Sequence, residues 1–199
     1  MLTKVQGCVG MSSEVTRESQ ILEAAERIFM RYGPRRSTMD DIADDVGISR
    51  PAIYQYFRTK KELLRQVVER LHRETLKSVA TELDRAGSVR RQLTCGLQAR
   101  DGHLFKYCEP NGPTPWFLDT SQKDVNDIVA NAQRMYEGLL RRHLTKSGYS
   151  TDRAEVTARL LVAMAAGLRS MARSPEDFDR ALTYSVDQLI AGADQLEVA

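Results

Sequence analysis

The sequence is poor in the residues that most enzyme and metal chemistry needs. Its 199 residues hold three cysteines, three histidines and one tryptophan. Cys8, Cys95 and Cys108 show no C-x-x-C spacing, and His72, His103 and His143 are scattered. That pattern excludes a disulfide framework and a structural zinc site, and neither metal nor cofactor is expected. An odd, sparse cysteine count fits a reducing cytoplasm, with Cys95 and Cys108 read as small buried apolar residues. No apolar run reaches the length of a membrane span, so no membrane partner is expected. The apolar stretch ahead of Val5-Gln6-Gly7-Cys8 is too short for a secretory signal. Residues 1–13 are expected to be a flexible tail, with Met11 an alternative start. Glycine-rich phosphate loops, a nucleophile elbow and paired metal-binding histidines are all missing, so the chain is not expected to be an enzyme. A large charge of one sign is missing too. The net charge of +2 excludes a globally basic coat, and any nucleic-acid contact has to come from a local patch.

What is present is helical periodicity. A hydrophobic content of 42% with 28% charged residues is ordinary for a globular protein, and 199 residues bury a real core. The spacing predicts a first helix over about 14–31, with Ile21, Ala25, Ile28 and Phe29 on one face and Gly33-Pro34 as its stop. Thr59 and Glu62 form a capping-box signature for a long amphipathic helix reaching about Arg85. One or two shorter helices fill 88–108. Glu109 to Pro115 is the clearest loop, and Trp116 beside it either lines a cavity or seats the loop. Helices follow over about 121–146, 151–173 and 175–196. The centre of the second, Leu161 to Leu168, is apolar almost all round, which predicts burial on most sides. The fold class is all-α. We divide the chain into the tail, a helix-turn-helix domain over 14–60 and a helical regulatory and dimerisation domain over 61–199.

The richest stretch runs from Thr38 to Phe57. Thr38 is a good N-cap with Asp41 three residues on, and Ile42, Ala43 and Val46 form one apolar edge. Gly47 suits a left-handed helix end, Ser49 is suited to cap the next helix and Pro51 fits its first turn. Ile53 and Phe57 face inward. That leaves Arg50, Tyr54, Gln55 and Tyr56 pointing outward, an odd solvent face but a sensible one for phosphates and base edges. Lys60, at the start of the long helix, combines charge with free N–H groups that favour phosphate, and Thr38 does the same one helix earlier. Against this reading stand Asp40, Asp41, Asp44 and Asp45. They have to point away from phosphates or sit at the positive end of their helix.

Residues from about Thr16 to Leu64 resemble the DNA-binding domain of the TetR family of bacterial transcriptional regulators. The likeness is carried by Ile21 to Phe29, Tyr32-Gly33, Ser37 to Ala43, Val46 to Ser49, Ile53 to Phe57 and Lys60 to Leu64. It implies a dimeric repressor whose C-terminal domain binds a small inducer. It also implies that Thr38, Tyr54, Tyr56 and Lys60 occupy positions that commonly touch DNA. Ala52 departs from the pattern, since some members carry a hydrogen-bonding residue there.

The expected partners are a double-stranded DNA operator, a small-molecule inducer and a second copy of the chain. Two recognition helices about 34 Å apart fit successive major grooves, as one alone does not. The last two helices fit either a four-helix dimer interface or a monomeric core. Candidate inducer contacts are Leu97, Phe105, Tyr107, Trp116, Phe117, Met135, Tyr136 and Met164, an inventory that favours a mainly apolar ligand. The alternatives are a sequence-blind architectural DNA binder and, less favoured, a helical enzyme.

Overall fold

The computed structural model describes residues 16–102 and 123–195. Among them are eight helices and no strand: α1 Arg17–Tyr32, α2 Met39–Val46, α3 Arg50–Tyr56, α4 Lys60–Leu83, α5 Val89–Asp101, α6 Asn126–Lys146, α7 Thr151–Met171 and α8 Pro175–Gln195. The loop over 109–115 and the tail over 1–13 lie outside the described residues.

Local chemistry sets most boundaries. α1 begins at Arg17 rather than Glu14 because Thr16 caps it, its hydroxyl accepting the Ser19 N–H at 3.2 Å. Thr38 and Asp41 form the full reciprocal capping box at the start of α2. Gly47 ends that helix at φ 72°, a left-handed backbone that suits glycine, and its N–H donates to Ala43 and Asp44 carbonyls. α6 starts at Asn126, later than the expected 121. The Asp124 carbonyl just ahead of it accepts from the Arg65 guanidinium at 2.7 Å.

Two apolar cores result. The first joins α1, α2 and α3 through Ile21, Phe29, Ile42, Ile53 and Phe57, all fully buried. It also takes Leu63, Leu64, Val67 and Val68 from the first half of α4, and Val125 from just before α6. The head domain therefore draws its core from beyond residue 60. The second core is built by α5, α6, α7 and α8, and the far half of α4 enters it through Val79 and Leu83.

Polar contacts lock α6 onto the start of α4. Arg65 binds Asp127 through both carboxylate oxygens, at 2.8 and 2.6 Å, and Lys61 pairs with Asp124 at 2.7 Å. The planar guanidinium fixes the relative angle of the two helices as a single ion contact would not.

The centre of α7 is buried on most sides, as expected, with Leu161, Val162 and Ala165 enclosed, but one face stays open. Val156, Leu160, Ala163, Gly167 and Met171 form an exposed stripe, with Leu160 at 51% and Met171 at 79%. Within one chain nothing among the described residues covers that face.

The clamp gives a pH-dependent prediction. The hydrogen bonds from Arg65 hold the Asp127 carboxyl at about 2, below its ordinary 3.8. A depressed carboxyl stabilises the fold above its unfolded value and loses that contribution as pH falls through the folded one. Urea unfolding of wild type and Asp127→Asn should therefore differ at pH 7 and converge between pH 4 and 2. A gap independent of pH would remove the ion pair as its cause.

Candidate nucleic-acid interface

The helix-turn-helix presents a compact polar face. Ile53 is fully buried and seats α3 against α1 and α2, so the rest of this short helix is turned outward. Tyr54 is 40% and Tyr56 45% exposed, and Gln55 is exposed beside them. None of the three side chains has a hydrogen-bond partner among the described residues. Large aromatic hydroxyls left open on a rigid helix have no packing role on their outer faces. They remain available to bases, sugars and phosphates.

Thr38 is exposed, but its hydroxyl is engaged by the Asp41 N–H at 3.1 Å, and its own N–H donates to the Asp41 carboxylate at 2.7 Å. Thr38 holds the Asp41 carboxyl below the usual range, its side-chain hydroxyl contributing most and its backbone N–H next. Arg50 is exposed and pairs with Asp40 at 3.0 Å, which ties α3 to the first turn of α2. Asp45 pairs with Arg27 at 2.5 Å. Three of the four carboxylates of α2 are thus occupied by protein groups, and two of those three lie in its first turn, where the helix dipole favours them. Arg35, Arg36 and Arg58 stand exposed around this face, and no ion pair links them to the acids among the described residues.

Lys60 has a role that sequence reasoning missed. Its half-buried ammonium donates to the carbonyls of Pro34 and Ser37, both at 2.8 Å. It thereby fixes the α1–α2 loop against the start of α4. Ser37, itself 2% exposed, donates to the Gly33 carbonyl at 2.8 Å and completes the loop. The Gly33-Pro34 stop was visible in the sequence, but nothing there tied it to a lysine 26 residues away. The ammonium keeps a third N–H for an outside acceptor.

The candidate inducer contacts divide. Leu97 and Tyr136 are buried in the second core, 1% and 4% exposed, and Met164 packs against it. Tyr136 lies within 3.2 Å of the His72 ring nitrogen, and the Arg100 guanidinium sits 5.2 Å from its ring centre. Burial pushes the Tyr136 hydroxyl up to about 12. Met135 does not join this group. It is 49% exposed and lines an outer groove of about 780 Å³ between α4 and α6. Phe105, Tyr107, Trp116 and Phe117 lie outside the described residues. There is no cluster of metal-ligating side chains among the described residues, and none of the described helices is long and apolar enough to cross a membrane.

Comparison with known proteins agrees with this geometry. The family model described as bacterial regulatory proteins, tetR family, matches residues 21–67. The probable HTH-type transcriptional regulator ArpR of Pseudomonas putida is 42% identical over 81 residues, which are 38% of this chain and 38% of ArpR. The match thus spans well under half of that relative's length. Over most of the chain the likeness is structural. A transcriptional regulator of Rhodococcus sp. RHA1 superposes with a TM-score of 0.70 at 20% identity, covering 89% of this chain and 97% of its own. SmeT, solved as a complex with triclosan, gives 0.66 at 23% identity, covering 88% of this chain and 90% of its own. At those identities the likeness concerns the fold.

Tyr54 and Lys60 separate recognition from structure. Tyr54→Ala should weaken binding to an operator about ten-fold, roughly 1.4 kcal/mol, while holding folding stability within about 0.5 kcal/mol. Lys60→Ala should instead cost about 1–3 kcal/mol of stability, because two carbonyls lose a charged donor. Denaturant titration and gel shift on the same preparations check both. A Tyr54 variant that unfolds would mark that ring as core.

Proposed function

Residues 21–67 of this chain are a TetR-family DNA-binding domain, and on that premise we propose that the protein is a ligand-responsive transcriptional regulator. In this reading it is a repressor that binds a palindromic operator as a dimer and leaves it when a small, mainly apolar inducer binds. The observation that carries it is the outward face of α3. Tyr54, Gln55 and Tyr56 are exposed and uncommitted on a helix whose inner side is fully anchored. Arg50 and Thr38 flank them, and Lys60 starts the next helix.

The stripe on α7 supports the dimer. Val156, Leu160, Ala163 and Gly167 recur every three or four residues, the spacing of one helix face. Small residues at its centre let a second helix approach closely, and apolar residues at its ends gain from burial. A second copy would join α7 and α8 into a four-helix interface. Such a dimer spaces two α3 helices for successive major grooves, about 34 Å apart.

The shared helix supports coupling. α4 enters the head core at Leu63 and Val67 and the distal core at Val79 and Leu83. A ligand among α4, α5, α6 and α7 that prefers one tilt of α4 changes the separation of the heads. It does so only by the difference in its affinity for the two arrangements. The triclosan complex of SmeT supports a small molecule as the ligand of this helical fold.

Two experiments test the reading. Selection from random or genomic DNA at near-physiological salt should enrich one palindrome with half-sites about one helical turn apart. Enrichment without a palindrome would fit an architectural binder and reject the repressor. Leu160→Glu should convert the dimer to a monomer in light scattering and abolish tight operator binding, with the helical signal unchanged. A Leu160→Glu protein that stays dimeric would move the interface elsewhere.

A further inference from the structure

The C-terminal end of α5 carries a charge arrangement that the fold alone does not require. Asp101 is fully buried and Arg100 is 8% exposed. Asp101 receives a hydrogen bond from the Arg169 guanidinium of α7 through Oδ1, and Arg100 stands 3.6 Å from Oδ2. Among the described residues, two guanidinium groups share one carboxylate in direct contact, so donors outnumber acceptors in this buried cluster. Arg100 spends one N–H on the Val162 carbonyl at 3.1 Å and covers the Tyr136 ring. Arg169 is 82% buried by its 18% exposure, and its Nε has no hydrogen-bond partner among the described residues. Asp101 Oδ2 is likewise without a hydrogen bond.

An uncompensated buried charge costs several kcal/mol. A purely structural cluster would be more stable with one arginine replaced by an apolar side chain. Burial works against the charge of Arg100; Asp101 is the main group that favours it and the more distant Glu137 adds a little, while Arg169 opposes it. The surplus is of cationic donors, and its natural complement is an acceptor-rich anion. The surroundings are apolar and aromatic: Tyr136 lies under Arg100 and Leu97 stands one helical turn before Asp101.

We infer that Arg100 and Arg169 bind the acid group of an otherwise apolar or aromatic inducer, a carboxylate or sulfonate rather than a neutral molecule. This deepens the ligand-responsive reading and rests on it. The anion would take the vacant Arg169 Nε–H and the free edge of Arg100, and would complete the charge balance of α5, α7 and Tyr136. Because Arg100 and Asp101 sit on the helix that packs along α4, filling the site would stiffen the α4–α5 pair.

The test uses two fluorescent probes with one skeleton. 8-Anilinonaphthalene-1-sulfonate carries an acid group, and N-phenyl-1-naphthylamine is the same molecule without it. Titrations of the full chain at 0.5 M salt suppress binding to exposed surface charges. The sulfonate should bind at least ten-fold more tightly than the amine. R169M and R100M should each erase that preference while leaving the amine within about two-fold, and D101N should strengthen the sulfonate further. Thermal melts confirm that each variant is folded, and either arginine variant alone suffices to decide. Equal binding of the two probes to the wild type overturns the acid-group inference but leaves the ligand-responsive reading standing. A preference that survives in the folded arginine variants also overturns it. Failure of both probes to bind removes the ligand-responsive reading itself.

Discussion

One helix is built into both cores, and the rest of the molecule depends on it. The first turns of α4 supply Leu63, Leu64, Val67 and Val68 to the head, and its last turns supply Val79 and Leu83 to the distal domain. A helix is stiff over this length, so its two ends cannot reorient independently. Neither core closes without it. α3 and the head are consequently not tethered to the distal domain by a linker. They are attached through a rigid rod whose position both cores define.

Polar contacts supply the angles that apolar burial leaves free. Hydrophobic contact is non-directional, and it permits α6 to slide along α4. The bidentate grip of Arg65 on Asp127, with Lys61 on Asp124, does not. Lys60 does the same for the loop between α1 and α2, where two carbonyls converge on one ammonium. Three consecutive features of one short segment, Lys60, Lys61 and Arg65, thus orient the loop, α6 and the head. Val125 completes the junction by placing a buried apolar side chain from the start of α6 inside the head core. A shift of α6 would therefore reach the head directly as well as through α4.

Charge is used with the same economy. A nearly neutral chain presents an outward face around α3 whose neighbouring acids are mostly paired within the protein. Asp40 is held by Arg50, Asp45 by Arg27 and Asp41 by the Thr38 cap. Arg35, Arg36 and Arg58 are left for an outside anion. The interior reverses this pattern. There one carboxylate, Asp101, faces two guanidinium groups, and the imbalance is hidden from water. A surface imbalance costs little because solvent screens it, whereas a buried one persists only where something offsets it.

The helices and their ends were legible in the sequence because caps, stops and apolar periodicity are local. Thr38 with Asp41, Gly47, and Thr59 with Glu62 each act within one turn; the structure keeps the first two in full, while at the third Thr59 caps the Glu62 N–H and the Glu62 carboxylate turns to the Arg58 N–H instead. The outward face of α3 was legible for the same reason, since Ile53 and Phe57 fix which side turns in. What depended on distant residues was not. No local pattern says that Lys60 meets Pro34 and Ser37, that Arg65 meets Asp127, or that Met135 faces a groove while its neighbour Tyr136 is buried. The apolar centre of α7 was legible as mostly buried, but which narrow face stays open was not, because periodicity counts hydrophobic residues and not the helices available to cover them. The sequence by itself determined an all-helical chain, a helix-turn-helix head and the residues at its surface, because these follow from hydrogen bonds and side-chain spacing along the backbone. The tertiary structure alone decided which charges meet, which face of α7 stays open and that one helix serves two cores. Those depend on how far-apart segments share space.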